Sequence, residues 1–451
     1  MCAACGVPAH VPLAETPAPD QVVAGGPARF AALRNKECRR YLGGSMLTMM
    51  ADNIEHVITY WVLWQTFHSP ALAGFAVISH WVPFLLFSVY FGGLADRYDC
   101  RRVIQVAQVL FMAVSVLWGV LFLTGTLSVW AACLLLIAHG LAGALWTPAE
   151  QLMLHDFVGS RDLPSAVRLN ATARSLGLLL GPVVGSALLL GLHPTAGIFV
   201  NTLIYLPLTL FLARTRFTGH VRDAGVQRPR LSLRDAVGVI REVADNPTLV
   251  SMIALGGLGS FFIGASLQSA MPIFAQGYGA AAGTAYSVLL FATAAGGVIG
   301  GLLLEVTGRI RPTVRTAVVS TLVYGGAMLV FASTHAYPLA VAMLVVGGVA
   351  NLASMSIGQT LVQLLAPPDK RGRVVGVYGM SANGLRAGSG FTVGLLGAAI
   401  GVHWSLALSS LALCVGTVAV LLFTVRAARR GPAPGPGDPT LHVASAPSAL
   451  G

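Results

Sequence analysis

Long apolar runs, separated by glycine, proline and charged residues, recur along the chain from about residue 40 to residue 425. A helix that crosses a bilayer needs roughly 20 mostly apolar residues. Twelve runs approach or exceed that length, and each of them predicts a membrane-spanning helix. The predicted spans are 41–66, 70–94, 103–124, 127–151, 165–190, 196–213, 248–275, 284–306, 313–333, 337–365, 374–399 and 403–425. The pattern therefore predicts an all-α membrane protein with two six-helix bundles, 41–213 and 248–425.

The composition excludes a soluble enzyme and a disordered chain. Hydrophobic residues make up 55% of the 451 residues and charged residues only 10%, whereas a soluble domain carries about 25% charged residues. The formal net charge is +11. In a soluble protein such a charge would suggest a nucleic-acid partner, so the positions of the basic residues decide its meaning.

The basic residues lie almost entirely on one side of the predicted membrane. Of the 28 lysines and arginines, 26 fall in the two terminal segments and in alternate loops, and the intervening loops have none. Such a bias marks the cytoplasmic face. Both termini are then cytoplasmic and the number of spans is even. The net charge is explained by topology and by anionic membrane lipid, without a nucleic-acid partner.

Three segments lie outside the two predicted bundles. Residues 1–40 form a cytoplasmic N-terminal tail, and 426–451 form a second cytoplasmic tail, predicted to be disordered because it is rich in proline, glycine and alanine. The connector 214–247 contains a predicted amphipathic helix from Ser232 to Ala244, lying along the membrane surface. One face of this helix would carry four apolar residues: Leu233, Val237, Ile240 and Ala244.

Three titratable residues lie inside the first predicted span. Asp52, Glu55 and His56 share one helix face because they are spaced by three and four residues. A charge at mid-membrane costs about 3 kcal/mol on insertion scales and normally faces a cavity. One interpretation is that Asp52 or Glu55 binds and releases a proton with His56 as its partner. The alternative is a structural pair between a carboxylate and an arginine or histidine.

Other polar residues inside the spans are candidates for a substrate cavity. Arg174 and Arg386 would pair with Asp52 or Glu55 across the bundle, bind an anionic substrate, or cap backbone carbonyls. Neutral candidates are Asn170, Asn383, Gln268 and Gln359, although such side chains equally suit hydrogen bonds between helices. His80 and His139, in spans two and four, either line the cavity or lie in the core; each is isolated in sequence, which favours the core and predicts no metal site.

A weak internal repeat supports duplication of a six-span unit. Pairs of similar residues in the two halves share an offset of 209 positions: Gly92 with Gly301, Asp96 with Glu305, Gly181 with Gly390, and Gly185 with Gly394. Two repeated bundles with a site between them are typical of secondary transporters. Neither of the two lysines lies in a nucleotide-binding P-loop motif. An ion or solute gradient is therefore the expected energy source.

The segment from Gly92 to Arg102 resembles the signature loop of the major facilitator superfamily. Its expected gating residues are Gly92, Asp96, Arg97, Arg101 and Arg102, while Asp99 and Cys100 depart from the motif. The resemblance implies that Asp96 accepts hydrogen bonds from backbone amides at the start of span eleven and so closes the cytoplasmic side. Arg97, Arg101 and Arg102 would bind lipid phosphates or acidic groups such as Glu150 and Asp156, or act only as topology signals.

The fifth predicted span resembles the superfamily's antiporter motif. Its matching residues are Gly177, Gly181, Pro182 and Gly185, and Ser186 replaces the final glycine. The resemblance is to the branch that includes macrolide and enterobactin exporters. It implies a monomeric transporter of a bacterial inner membrane, not an enzyme, that exports a drug-like or siderophore-like molecule in exchange for protons and needs no cofactor. The alternative is proton-coupled or facilitated uptake of a metabolite.

Overall fold

The computed structural model describes residues 29–226, 233–264, 267, 271, 273–275, 282–308 and 311–429. Throughout these residues the regular structure is helical, and no strand occurs among them. The all-α prediction is therefore confirmed for the described part of the chain.

Seven helices lie before residue 245 and seven after it, within the described ranges. The first group is α1 Ala31–Arg34, α2 Lys36–Phe67, α3 Pro70–Arg97, α4 Cys100–Thr124, α5 Val129–Ile204, α6 Leu206–Arg214 and α7 Leu233–Ala244. The second group is α8 Pro247–Phe262, α9 Ala282–Thr307, α10 Val314–Ser333, α11 Tyr337–Leu365, α12 Arg371–Ala382, α13 Leu396–Ile400 and α14 Val402–Arg429. Between α12 and α13 lie a 3₁₀ turn, Gly384–Gly388, and a π turn, Gly390–Leu395.

The helix α5 contains most of three predicted spans. Its 76 residues would extend about 114 Å at 1.5 Å per residue, far more than one bilayer crossing requires. The backbone leaves helical geometry at Gly159 (φ 72°) and at His193 (φ 62°). These two positions separate the segments predicted as spans four, five and six. Glycine adopts a positive φ without steric cost, so Gly159 suits the first of the two turns.

Seven helical segments in the described ranges are long and apolar enough to cross a membrane. One of them is the whole stretch Val129–Arg214. The polar helix α2 is not among the seven, and α8 is apolar but shorter. The structure therefore supports a multi-pass membrane protein, and the count of twelve spans stays a prediction.

Local sequence explains where several helices begin. The Asn35 side chain accepts hydrogen bonds from the backbone amides of Glu37 and Cys38 and so caps α2. Asp99 caps α4 through the amide of Arg101, and Thr313 forms a capping box at α10. Asparagine, aspartate and threonine satisfy helix N-terminal amides that otherwise lack a partner.

The helices pack around separate apolar cores in the two halves of the chain. One core joins α2, α4 and α5 around Tyr41, Phe111 and Phe157. Another core is formed by helices of the C-terminal half around Phe274, Phe331 and Leu344. The halves meet where α3 lies along α12 and where α5 lies along α9. These two contacts bring Asp96 to α12 and Glu305 to α5, as described below.

The connector contains the expected helix but buries a different face. Val239 and Val243 are buried against residues of α8 and α12, whereas Ile240, predicted to face the membrane surface, is 41% exposed. Ile240 therefore does not pack in the protein core, and its position at the membrane surface stays a prediction. The predicted cap, Ser232, lies outside the described residues. Val239 and Val243 thus attach the connector helix to the C-terminal half.

The ends of the described chain differ from the predicted tails. α2 begins at Lys36 rather than at Tyr41, and Ala31 and Ala32 in α1 are buried. Residues up to 28 and from 430 onward lie outside the description. The predicted disorder of 431–451 therefore remains a prediction.

Candidate functional site

A cluster of titratable side chains lies buried between α2, α3 and α5. Asp52 and Glu55 on α2 are 8% and 2% exposed, and His139 on α5 is 3% exposed. His139 Nε2 lies 2.8 Å from Asp52 Oδ1, and His139 Nδ1 lies 2.9 Å from Glu55 Oε1. The predicted partner, His56, is more distant, with its Nδ1 3.7 Å from Asp52 Oδ2. His139 thus joins the two carboxylates into one unit.

This arrangement holds protons at well-defined positions. Each of the two N···O contacts of His139 requires one hydrogen. The imidazole supplies both hydrogens only as the imidazolium ion, and otherwise one carboxyl group must be protonated. A change in proton number therefore breaks or reverses at least one of these contacts. The contacts between α2 and α5 at His139 therefore depend on how many protons the cluster holds.

Neighbouring residues hold Glu55 and complete the cluster. The Ser115 hydroxyl of α4 donates a short hydrogen bond to Glu55 Oε2. The His56 ring lies 5.0 Å from the His80 ring and 4.9 Å from the His139 ring, measured between centroids. His80 and His139 were predicted to be isolated, and the structure corrects this because α3 and α5 bring them beside α2. Their separation in sequence concealed the cluster.

Arg174 belongs to a second buried pair. Its Nη1 donates to Glu150 Oε2 at 2.8 Å, and its guanidinium lies 4.9 Å from the centroid of Trp146. Ser45 also donates to Glu150, at 2.6 Å, and contacts Asn170 Oδ1 at 3.3 Å. The predicted pairing of Arg174 with Asp52 or Glu55 is therefore wrong. The positions of Trp146 and Glu150, one helical turn apart on α5, bring both groups to Arg174.

Substituting Arg174 with Ala should destabilise the protein by roughly 3 kcal/mol, the lower end of the range for breaking a buried ion pair. The reason is that the fully buried Glu150 would lose its cation, while Arg174 itself is 30% exposed. Thermal unfolding in detergent measures the effect. The double variant Arg174→Ala/Glu150→Gln should recover most of the stability because no buried charge remains. Equal destabilisation by both variants would exclude a charge-based cause.

The remaining cavity candidates occupy different environments. The Arg386 guanidinium lies 4.7 Å from the ring centroid of Trp81, in the other half of the chain, where a cation and an aromatic face attract each other. Asn383 ends α12 and accepts a backbone hydrogen bond from Arg386. Gln359 is half-buried, and Gln268 lies outside the described residues. The predicted pairing of Arg386 with Asp52 or Glu55 is not among its contacts in the described part.

The signature loop brings the two halves together at one end of the molecule. Asp96, which is 4% exposed, accepts hydrogen bonds from the backbone amides of Gly372 at 2.5 Å and Arg373 at 3.0 Å. These amides open α12, the segment predicted as span eleven. A carboxylate at a helix N-terminus is favoured by unpaired amides and by the helix dipole. A side chain on Gly92 would collide with the Gly372 carbonyl, so glycine is required for this close approach.

Glu305 makes the corresponding contact in the opposite direction. From the end of α9 it accepts hydrogen bonds from Arg168 Nε at 2.7 Å and from the Ser165 hydroxyl at 2.5 Å, near the Gly159 break in α5. Glu305 is fully buried. The internal repeat paired Asp96 with Glu305. In the structure, each of these carboxylates forms hydrogen bonds with residues of the other half of the chain, close to a point where a helical segment begins. We call these two contacts the latch.

The arginines of the signature loop do not meet the acidic residues considered for them. Arg101 binds Asp99 and the Thr215 carbonyl, Arg102 contacts Gln105, and Arg97 is exposed beside Tyr98. Glu150 is paired with Arg174, as described above. Asp156 instead accepts hydrogen bonds from the amides of Gly219 and Arg222. The suggested contacts to Glu150 and Asp156 are therefore wrong, and lipid binding stays a prediction.

The antiporter-like motif packs α5 against α2. Gly177, Gly181 and Gly185 are buried and face the stretch of α2 from Met46 to Val57, whereas Pro182 is exposed. A Cβ atom on Gly181 would collide with the Asn53 side chain. Small residues allow such close helix packing. The motif thereby places α5 directly beside the helix that carries Asp52 and Glu55.

Comparison with known proteins shows relatives of one kind. Residues 27–434 match the model of a family described as "transmembrane secretion effector". Macrolide efflux protein A of Streptococcus pyogenes is 20% identical over 85% of this chain and 95% of its own length. The staphyloferrin A transporter of Staphylococcus aureus is 23% identical over 37% of this chain, and the match spans only 44% of that relative. A chloramphenicol resistance protein of Streptomyces lividans is 30% identical over 39% of this chain and 44% of its own length.

Solved structures share the same fold at low sequence identity. The human organic anion transporter MFSD10 aligns with a TM-score of 0.63 and 15% identity, covering 85% of this chain and 99% of its own. FucP, a major facilitator superfamily transporter in the outward conformation, aligns with a TM-score of 0.66 and 13% identity, covering 88% and 99%.

The matched family is one of multi-pass membrane transporters, and the helical fold agrees with it. The chain belongs to the major facilitator superfamily, in the transmembrane secretion effector family, with efflux-type relatives.

Proposed function

We propose that this protein exports a small organic molecule, drug-like or siderophore-like, in exchange for protons. The observation that carries this proposal is the buried unit of Asp52, His139 and Glu55, with its 2.8 and 2.9 Å contacts. Ionisable groups inside a membrane are costly and usually serve a pathway for ions or substrates. The efflux-type names of the relatives favour export over uptake.

The proposed architecture has twelve spans in two six-helix bundles, 41–213 and 248–425. In this proposal both termini face the cytoplasm of a bacterial inner membrane, and a monomer is the working unit. The distribution of basic residues supports the orientation. The turns at Gly159 and His193 support three crossings within α5 and α6. Epitope tags at both ends, with accessibility measured in intact cells and in inverted vesicles, test this topology.

The latch suggests which conformation the structure represents. Asp96 and Glu305 join the halves at the end of the molecule that the basic residues assign to the cytoplasm. The hydrogen bond between Gln363 and Gln151, 2.9 Å long, joins the halves in the same region. We therefore interpret the structure as closed toward the cytoplasm. Alternating access requires these contacts to break when the site opens inward.

The proposed cycle links protonation to the contacts of His139. A proton taken up from outside protonates Asp52 or Glu55, which weakens that carboxylate's bond to His139 and releases the substrate outward. The latch then opens, the proton leaves toward the cytoplasm, and the restored contacts between α2 and α5 favour substrate binding. The substrate is expected to lie between the halves, near Arg386 and Trp81.

Reconstituted vesicles test the proposed function directly. Purified protein is placed in liposomes, and a susceptibility panel in a pump-deleted bacterial host first identifies a transported compound. An imposed pH gradient should drive accumulation of this compound against its own gradient, and the compound should in turn drive measurable proton movement. Passive equilibration without proton movement would contradict antiport. Accumulation in the same direction as proton flow would instead establish the uptake alternative.

A further inference from the structure

Four side chains of the buried cluster have the composition of a transition-metal site. Asp52 and His56 from α2, His80 from α3 and His139 from α5 each offer one ligand atom, and these atoms all lie within 4.8 Å of one another. Three imidazole nitrogens and one carboxylate oxygen suit Zn²⁺ and related divalent ions. Three separate helices supply the ligands, so a tertiary contact rather than one helix face creates the set.

The distances require only a modest rearrangement around an ion. In a tetrahedral zinc site the metal–nitrogen distance is about 2.0–2.1 Å, which separates neighbouring ligand atoms by roughly 3.3 Å. His139 Nε2 and Asp52 Oδ1, which are 2.8 Å apart, would separate slightly to admit the ion. His56 Nδ1, which lies 3.7 Å from Asp52 Oδ2, would move slightly closer. Rotation of the His56 and His80 side chains would bring the remaining atoms inward. An ion entering here displaces the proton shared by His139 and Asp52.

Glu55 occupies the position of a supporting residue. Histidines that bind a metal through one nitrogen commonly donate the other N–H to a carboxylate, which fixes the ring orientation. His139 Nδ1 lies 2.9 Å from Glu55 Oε1, and Glu55 is in turn held by the Ser115 hydroxyl. The hydrogen-bonded series from His139 to Glu55 to Ser115 therefore has the order of metal ligand, carboxylate and hydroxyl. It explains why the two carboxylates approach opposite nitrogens of one imidazole.

His80 supplies an independent observation. Its Nδ1 atom is buried and has no hydrogen-bond partner in the described part of the chain. A buried polar atom without a partner costs free energy and calls for a specific explanation. The His80 ring lies 5.0 Å from the His56 ring and 5.7 Å from the His139 ring. An ion between these rings would give the His80 imidazole a ligand role and so account for its unpaired Nδ1.

We infer that Asp52, His56, His80 and His139 form a binding site for one divalent transition-metal ion of the zinc class, with Glu55 orienting His139. The site coincides with the proposed proton site, but binding requires no transport. Hard cations such as Mg²⁺ and Ca²⁺ should bind poorly because they prefer all-oxygen ligand sets. In the proposed cycle, a bound ion would prevent the movement of α2 against α5 and so inhibit export.

Metal titration of the purified full-length protein tests the site without a transport assay. The protein is prepared without a histidine tag, and ZnCl₂ binding is measured by calorimetry, with CoCl₂ absorption as a report of geometry. One Zn²⁺ per chain and a tetrahedral Co²⁺ spectrum are expected. His80→Ala should weaken binding by more than the roughly 10–100-fold that loss of a supporting partner costs, and Glu55→Gln should weaken it within that range. The exposed His335 provides the control His335→Ala, which should leave binding unchanged.

Three outcomes would overturn the inference. They are absence of Zn²⁺ binding, binding that His80→Ala leaves intact, and binding that disappears when Cys2 and Cys5 are replaced by serine, since those thiols form a competing CxxC pair. If His80→Ala does not fold, His56→Ala serves as the second variant, and thermal unfolding with and without ZnCl₂ verifies folding. Antiport could fail while Zn²⁺ still binds, and Zn²⁺ binding could fail while antiport persists, so the two proposals are separable.

Discussion

Asp52→Asn or Glu55→Gln should reduce proton-driven efflux to the level of protein-free vesicles. Each substitution removes an ionisable oxygen from the unit in which His139 contacts both carboxylates. An amide still forms hydrogen bonds but carries no exchangeable charge at neutral pH. Substrate accumulation inside inverted vesicles under an imposed pH gradient measures the loss. Because the buried cluster contacts α2, α4 and α5, thermal unfolding of each variant must be measured in parallel.

Glu37→Gln is the matched control for this prediction. Glu37 lies on the same helix, at its exposed start, and its contact is with Arg40. It should retain wild-type efflux, because exposed ion pairs of this kind contribute little to stability. Exchange of labelled for unlabelled substrate without a pH gradient should persist in Asp52→Asn if only coupling is lost. Fully pH-dependent exchange in the double variant Asp52→Asn/Glu55→Gln would refute the role of the cluster.

Loss of both latch carboxylates is expected to open the cytoplasmic side. A hydrogen bond to a charged group contributes about 1.5–3 kcal/mol, so Asp96→Asn/Glu305→Gln should shift the closed-to-open ratio by roughly 100-fold or more. Opening is measured as the alkylation rate of a single thiol, introduced by Gln151→Cys into a protein that lacks the six native cysteines. Gln151 is 6% exposed and bonds to Gln363 across the halves. Its alkylation rate should rise at least about tenfold.

Asp99→Asn provides the control for the latch. Asp99 belongs to the same loop but bonds to Arg101 within its own half. Alkylation at position 151 should remain slow in this variant. The single variants Asp96→Asn and Glu305→Gln should each give an intermediate rate, because the two contacts are separate in space. An unchanged rate in the double variant would show that the latch does not close this side.

Apolar patterning predicted most of the helices because each span must satisfy its backbone hydrogen bonds within itself. The predicted span 337–365 coincides with α11, and 313–333 begins one residue before α10. The fourth, fifth and sixth spans were predicted separately, and the backbone leaves helical geometry between them at Gly159 and His193. In α7, helical periodicity identified the apolar stripe with Ile240, but the opposite contact of Val239 and Val243 with α8 and α12 required the tertiary structure.

The candidate site was predicted only where its residues share a helix. Asp52, Glu55 and His56 follow from helical spacing, and Asp96 follows from a recognisable loop. The partners of these residues lie far away in sequence: His139 is 87 positions from Asp52, and Gly372 is 276 positions from Asp96. Periodicity along one helix carries no information about which other helix will pack against it.

The order of apolar and basic residues was sufficient to predict a multi-pass helical membrane protein with charges in its first predicted span. Transfer into lipid is a local property of each segment, so it can be read segment by segment. The pairing of Arg174 with Glu150, the joining of both carboxylates by His139, and the gathering of three histidines required the packed bundle. They depend on contacts between helices that are distant in sequence. Small residues such as Gly177 and Gly181 allow these helices to pack closely and so fix the contacts.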